Sequence, residues 1–212
     1  VRDRSRGLAA FLQERGVGLR REREGLKRWE SGQDAVALVL NNGTEYIEAM
    51  LGAFRARGVP FNVNQHYRRA ELESLLYDVG PIAAVYHRRY GPLLAEVVDP
   101  VDLVLIDVDD GSGIAPLAGS TAYETAVATP VGALPTPSPD DLYLVCTGGT
   151  TGRPKAVVWR QADIYVSAMA GVEGATAESI TTAAANGGVA PWFALPPLMH
   201  AAAQWTAFCG LH

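Results

Sequence analysis

Apolar side chains recur along this chain with two periods. Leu8, Phe11 and Leu12 are spaced as one face of a helix, which Gly16 and Gly18 end. From residue 35 onward, short all-apolar runs alternate with amphipathic ones. Residues 35–40 read as a strand. Ile47, Met50, Leu51 and Phe54 then fall at i, i+3, i+4 and i+7 and predict a helix whose core face they form, stopped by Gly58 and Pro60. A short strand over 59–63 precedes a second stripe of Leu72, Leu75, Leu76 and Val79, ended by Gly80-Pro81. Strands over 82–86 and 103–108 flank a predicted helix over 90–98. Apolar runs suited to burial on both faces, alternating with helices, give an α/β fold: a mostly parallel sheet flanked by helices.

The remainder is less regular. Residues 20–32 are charged and aperiodic and read as an exposed insertion. Residues 109–113 form a turn. Pro130, Pro135, Pro137 and Pro139 make 129–141 an extended linker between two lobes. β-Branched and aromatic residues predict strands over 142–146 and 157–159. A helix is expected over 162–171, a weakly patterned small-residue stretch over 173–188, a strand over 192–195 and a helix over 201–209. The resulting division is a basic N-terminal helix with its insertion (1–34), an α/β lobe (35–128), the linker (129–141), and a hairpin that starts a second lobe (142–212).

Composition narrows the class. With 212 residues, 48% hydrophobic and 19% charged, the chain can bury a sizeable core. No apolar run approaches the roughly 20 residues needed to span a bilayer, and no secretory leader is visible, so a cytoplasmic location is expected. Cys146 and Cys209 make no metal-ligand spacing and are expected to be thiols, not a disulfide. Net charge is −5, yet the first 30 residues hold Arg2, Arg4, Arg6, Arg15, Arg20, Arg21, Arg23, Lys27 and Arg28. Interleaved acids (Asp3, Glu14, Glu22, Glu24, Glu30) and the lack of an aromatic platform favour a solvated, ion-paired surface over a nucleic-acid arm.

The most chemically loaded segment is Thr147-Gly148-Gly149-Thr150-Thr151-Gly152-Arg153-Pro154-Lys155. The glycines Gly148, Gly149 and Gly152 let the backbone approach a ligand closely. Hydroxyls of Thr147, Thr150 and Thr151 suit phosphate oxygens, and Lys155 adds a positive charge. Arg153 and Pro154 separate Gly152 from the lysine, and strand rather than helix follows, so the segment is not a P-loop. Adjacent Gly148 and Gly149 also break the dinucleotide fingerprint.

Residues 143–157 resemble the signature of the adenylate-forming enzymes, which include acyl-CoA synthetases, luciferases and peptide-synthetase adenylation domains. Its usual form is Thr-Ser-Gly-Thr-Thr-Gly-x-Pro-Lys-Gly-Val. With Gly148 and the downstream Trp159-Arg160, the version here is similar to fatty-acyl- and steroid-side-chain-CoA ligases of actinobacteria. Asn62-Val63-Asn64 and Pro196-Pro197-Leu198-Met199-His200 match two further stretches of that family, and the likeness extends over roughly residues 5 to 212, with a poorly matching stretch near 20 to 32.

The resemblance implies the first lobe, and the start of the second, of such an enzyme's large N-terminal domain. It implies a small carboxylic acid (fatty or steroid-side-chain), ATP with Mg²⁺, and coenzyme A as partners. An aryl-CoA ligase, a peptide-synthetase domain or a non-catalytic remnant are the alternatives. It implies that Lys155 holds the β- and γ-phosphates, that Thr147, Gly148, Gly149, Thr150, Thr151 and Gly152 cradle them, and that His200 lines the acyl pocket. No metal ligand is assigned. Further motifs of the family have no match here, so the chain is expected to be a fragment, inactive alone. Two departures stand out: Gly148 replaces a common serine, and Ala156 replaces a glycine whose position, if left-handed, would strain an alanine.

Overall fold

The computed structural model describes residues 1–99, 102–148, 153–187 and 192–211. Five parallel strands form the main sheet: β1 (Ala35–Val39), β2 (Val59–Asn62), β3 (Ala83–His87), β4 (Val104–Val108) and β5 (Thr121–Ala122), in the order β2-β1-β3-β4-β5. Every residue of β1, β2 and β3 is buried, as expected of strands covered on both faces. Side chains alternate across β1. Val36 and Leu38 join one core cluster with α1 (Arg2–Glu14), α2 (Thr44–Arg55) and α5 (Tyr123–Val127). Ala35, Ala37 and Val39 join another with α3 (Arg69–Val79) and α4 (Gly91–Ala95). The parallel, helix-flanked sheet read from the sequence is therefore the fold.

Beyond the linker, β6 (Leu142–Thr147) and β7 (Lys155–Arg160) form an antiparallel hairpin with its own two-stranded sheet. Tyr143 and Val145 face the first cluster, and Leu142, Leu144 and Cys146 the second, so β6 continues both core layers past the edge of the main sheet. Helices α6 (Gln161–Ala168), α7 (Ala177–Asn186) and α8 (Ala201–Cys209) follow.

Four expectations change. The buried face of α2 is Tyr46, Ala49, Met50 and Ala53, whereas Ile47, Leu51 and Phe54 are only half-buried. This adjoining face is the interior one because α1 crosses closely beside it: a Cβ built on Gly52 would lie 2.9 Å from Leu8 Cδ2. The helix expected over 90–98 is shorter, a 3₁₀ turn (Arg88–Tyr90) leading into α4. Residues 192–195 form no strand, and Trp192, Phe193 and Leu195 are exposed. A helix, α7, occupies the weakly patterned stretch; Thr176 caps it by accepting from Ser179 N–H while Thr176 N–H donates to Ser179 Oγ.

The charged N-terminal region is pinned, and mostly not by its own interleaved acids. Arg4 binds Glu48 and Glu124, and Arg20 binds Asp34. The mainly exposed 20–32 segment is docked through Glu22 on Arg57. Where α1 meets α5 the fit is tighter still, because a methyl at Gly7 would lie 1.9 Å from the Val127 carbonyl oxygen. Gly7→Ala is expected to force α1 away and cost about 1–3 kcal/mol, read as a lower urea midpoint. An unchanged midpoint would show that α1 is not seated as described.

Candidate functional site

The hairpin places its chemistry by register. Thr147 and Lys155 are opposite one another, the last residue of β6 and the first of β7. Directly opposed residues of an antiparallel pair project to the same face, here the face that carries Tyr143 and Val145 toward α8. Both Thr147 and Lys155 are exposed, and no hydrogen bond or ion pair of the Lys155 ammonium occurs among the described residues. A hydroxyl and a cation with no partner among the described residues thus flank the entrance to the loop. Gly149, Thr150, Thr151 and Gly152 lie outside the described residues. Gly148 is described: a Cβ there meets nothing within 4 Å, so space does not exclude serine at that position. Ala156 lies inside β7 opposite Cys146 and is not left-handed, so the strain considered for it is absent.

His200 is exposed and occupies the N-cap position of α8 without a side-chain capping bond. Three side-chain amides hold the turn that carries it. Asn42 Oδ1, three residues past the end of β1, accepts from Leu198 N–H at 2.7 Å. Gln204 Nε2 donates to the Leu198 carbonyl at 2.7 Å, and Gln204 Oε1 accepts from the Tyr143 hydroxyl. Burial pushes that phenol far above its ordinary pKa, so it stays a donor. Asn62, at the end of β2, donates to the Met199 carbonyl at 2.6 Å and pairs with Cys146 in β6. The structure thus joins the hairpin mouth and the His200 turn through common partners.

These amides were assigned no role from the sequence, although Asn62 lies in one of the matched stretches. Gln204 had one available signal, an amide within the mostly apolar α8, whose other polar residue is Thr206. Trp205 is half-buried against the first core cluster. His87 is structural: its Nδ1 accepts from Asn41 N–H at 3.0 Å, and burial lowers its pKa.

A surface groove adjoins the site. Leu51, Phe54, Tyr143, Trp159, Ile164 and Phe208 are among the residues around an open groove of about 1050 Å³. Among the described residues no three His, Cys, Asp or Glu side chains converge to hold a metal ion. The donor set at the hairpin mouth, a hydroxyl and an ammonium, fits a polyphosphate and offers a divalent cation no carboxylate.

Cys146 and Cys209 are both free thiols. Burial raises the Cys146 pKa to about 12, so at pH 8 almost none is thiolate, the reactive form. Titration with a disulfide reagent at pH 8 is expected to modify half-buried Cys209 in the native protein and Cys146 only after denaturant is added. Rapid native labelling of Cys146 would contradict the packing of β6.

No helix among the described residues is long and apolar enough to cross a membrane. A family model described as AMP-binding enzyme matches residues 1–212. The medium-chain acyl-CoA ligase Mig of Mycobacterium avium is 44% identical over all of this chain and 40% of its own length. A 3-oxocholest-4-en-26-oate–CoA ligase of Rhodococcus rhodochrous is 32% identical over all of the chain and 38% of its own length. The chain therefore spans well under half of these curated relatives. The N-terminal domain of FACL13 from Mycobacterium tuberculosis has the same fold, with a TM-score of 0.65 at 19% identity over 98% of this chain and 46% of that one. With the family model matching from end to end, and the glycine–threonine hairpin in the register just described, the chain belongs to the AMP-binding enzyme family.

Proposed function

We propose that the protein carrying this chain is an ATP-dependent acyl-CoA ligase acting on a fatty or steroid-side-chain carboxylic acid. The observation that carries this reading is the opposed pair Thr147 and Lys155, exposed at the mouth of a hairpin whose strands are pinned to the core. The kinship to a medium-chain acyl-CoA ligase and to a steroid-side-chain-CoA ligase supports the substrate class.

A carboxylate is a poor acyl donor because its charge repels nucleophiles and oxide is its leaving group. Attack of the carboxylate oxygen on the α-phosphorus of ATP forms the acyl–adenylate bond and releases pyrophosphate. The thiol of coenzyme A then attacks the acyl carbon, its proton is lost, and AMP leaves. Lys155 neutralises charge that grows on the departing pyrophosphate, and Thr147 donates to a phosphate oxygen. Gly148 and, within the remaining loop, Gly149, Thr150, Thr151 and Gly152 bring backbone N–H groups to the same phosphates. His200 bounds the acyl side of the site. Mg²⁺ enters with ATP as charge neutralisation, and no step is assigned to it through this chain's residues.

We also assign residues 35–128 to one lobe and 142–212 to the start of a second, joined by the linker, because the two sheets are separate. A cytoplasmic location follows from the proposed use of ATP and coenzyme A. The test is exchange of labelled pyrophosphate into ATP, with medium-chain fatty acids and a steroid-side-chain acid offered separately. Exchange that depends on an added acid is expected. Failure with every acid, together with failure to form any CoA thioester, would overturn the assignment.

A further inference from the structure

Asn62 is buried, 4% exposed, at the end of β2, and its amide makes three hydrogen bonds. Oδ1 accepts from Cys146 N–H at 2.8 Å, and Nδ2 donates to the Cys146 carbonyl at 2.8 Å. The second Nδ2 proton goes to the Met199 carbonyl at 2.6 Å. A single side chain thereby replaces a strand neighbour along the outer edge of β6 and also grips a turn 137 residues away in sequence. Its two partners are placed one residue before Thr147 and one residue before His200.

We propose that Asn62 is a positioning residue for the nucleotide site, fixing the phosphate-loop strand and the His200 turn relative to each other. The proposal rests on the function inferred above. Sealing the edge of β6 would need only the two bonds to Cys146; the third bond is what couples the two segments. A buried amide with both protons and its oxygen engaged has one orientation available to it. Leucine at this position would leave Cys146 N–H, Cys146 C=O and Met199 C=O unpaired. Aspartate keeps the shape and the acceptor but replaces the NH2 group, and with it both donors, by one oxygen facing the two carbonyl oxygens, so both segments are pushed away.

The experiment uses Asn62→Asp and Asn62→Leu in the protein carrying this chain, with Tyr86→Phe as a control. The control removes a phenol shared by Ser120 Oγ and Leu117 N–H within the first lobe. Two readouts are taken. The labelling rate of Cys146, relative to Cys209, reports opening of β6, and acid-dependent pyrophosphate exchange gives KM for ATP and kcat.

Asn62→Asp is expected to speed Cys146 labelling at least tenfold and raise KM for ATP at least tenfold, with kcat changed less than threefold. Tyr86→Phe should change neither KM nor Cys146 labelling. A merely structural role lowers the active fraction, and with it kcat, at constant KM. Unchanged Cys146 labelling in Asn62→Asp overturns the clamp, and faster labelling with unchanged KM overturns the positioning role. If Asn62→Leu does not fold, Asn62→Asp decides. If the wild type turns over no ATP, the proposed function fails by itself, and the positioning role falls with it, while the labelling comparison still decides the clamp.

Discussion

Lys155→Ala is expected to slow acid-dependent pyrophosphate exchange by about 10²-fold or more, a loss typical of removing one preorganised charge-stabilising donor. Its ammonium is exposed and takes part in no hydrogen bond or ion pair among the described residues, so the charge is available to a ligand. For the same reason the substitution should alter folding stability by no more than about 0.5 kcal/mol. Lys155→Arg keeps the charge but moves it along a longer, planar group, and should recover part of the rate. The pairing of a large rate loss with an unchanged urea midpoint is the diagnostic result. Exchange within twofold of wild type in Lys155→Ala would remove this residue from the chemistry.

The loop depends on its supports. Thr147 and Lys155 are placed by the strands that carry them, the end of β6 and the start of β7. β6 is held at its exit by Asn62 and along its length by Tyr143, whose hydroxyl meets Gln204 in α8. At its foot, Leu142 N–H donates to Gln33 Oε1 at 2.7 Å, and Asp141 pairs with Arg57. One strand therefore ties the parallel sheet, the segment before β1 and α8 to the two residues that flank the loop.

Parts of this were legible in the sequence. The parallel sheet was, because strands buried on both faces and amphipathic helices carry short-range signals in different periods. The paired strands on either side of the glycine–threonine loop were, because β-branched and aromatic runs flank it directly. The supports were not. Asn62 meets Cys146 across 84 residues and Met199 across 137, and no local pattern encodes such partners. Helix α7 was missed because it buries no residue and so has no apolar period, only its Thr176–Ser179 cap. The stripe on α2 was displaced because periodicity locates an apolar face but not which of two adjoining faces a neighbouring helix will cover. Gly58 was read as the stop of α2, yet the left-handed residue is Arg57, with φ 58°. Only its ion pairs explain an arginine there.

Those ion pairs give the second large expectation. Arg57 Nη2 lies 2.7 Å from Asp141 Oδ1, and the two side chains are only 9% and 3% exposed. Arg57 Nε contacts both carboxylate oxygens at 3.1 Å, while Nη1 reaches the exposed Glu22. Asp141→Ala strands a buried guanidinium with one solvent-side partner and removes the acceptor of Ser138 N–H. It should cost about 3–5 kcal/mol, as when one member of a buried pair is deleted. Arg57→Ala should cost a similar amount. Arg57→Gly should be less damaging by about 1 kcal/mol, because glycine takes the left-handed backbone without the steric penalty of a Cβ. Combining Arg57→Gly with Asp141→Ala should destabilise by much less than the sum, since neither charge is then left alone. Urea denaturation of the four proteins beside wild type measures all of this. A loss below about 1 kcal/mol for Asp141→Ala would place the pair among surface ion pairs. Additive losses would mean that Arg57 and Asp141 act separately, and that the left-handed arginine at the end of α2 is kept for some reason other than holding the foot of β6.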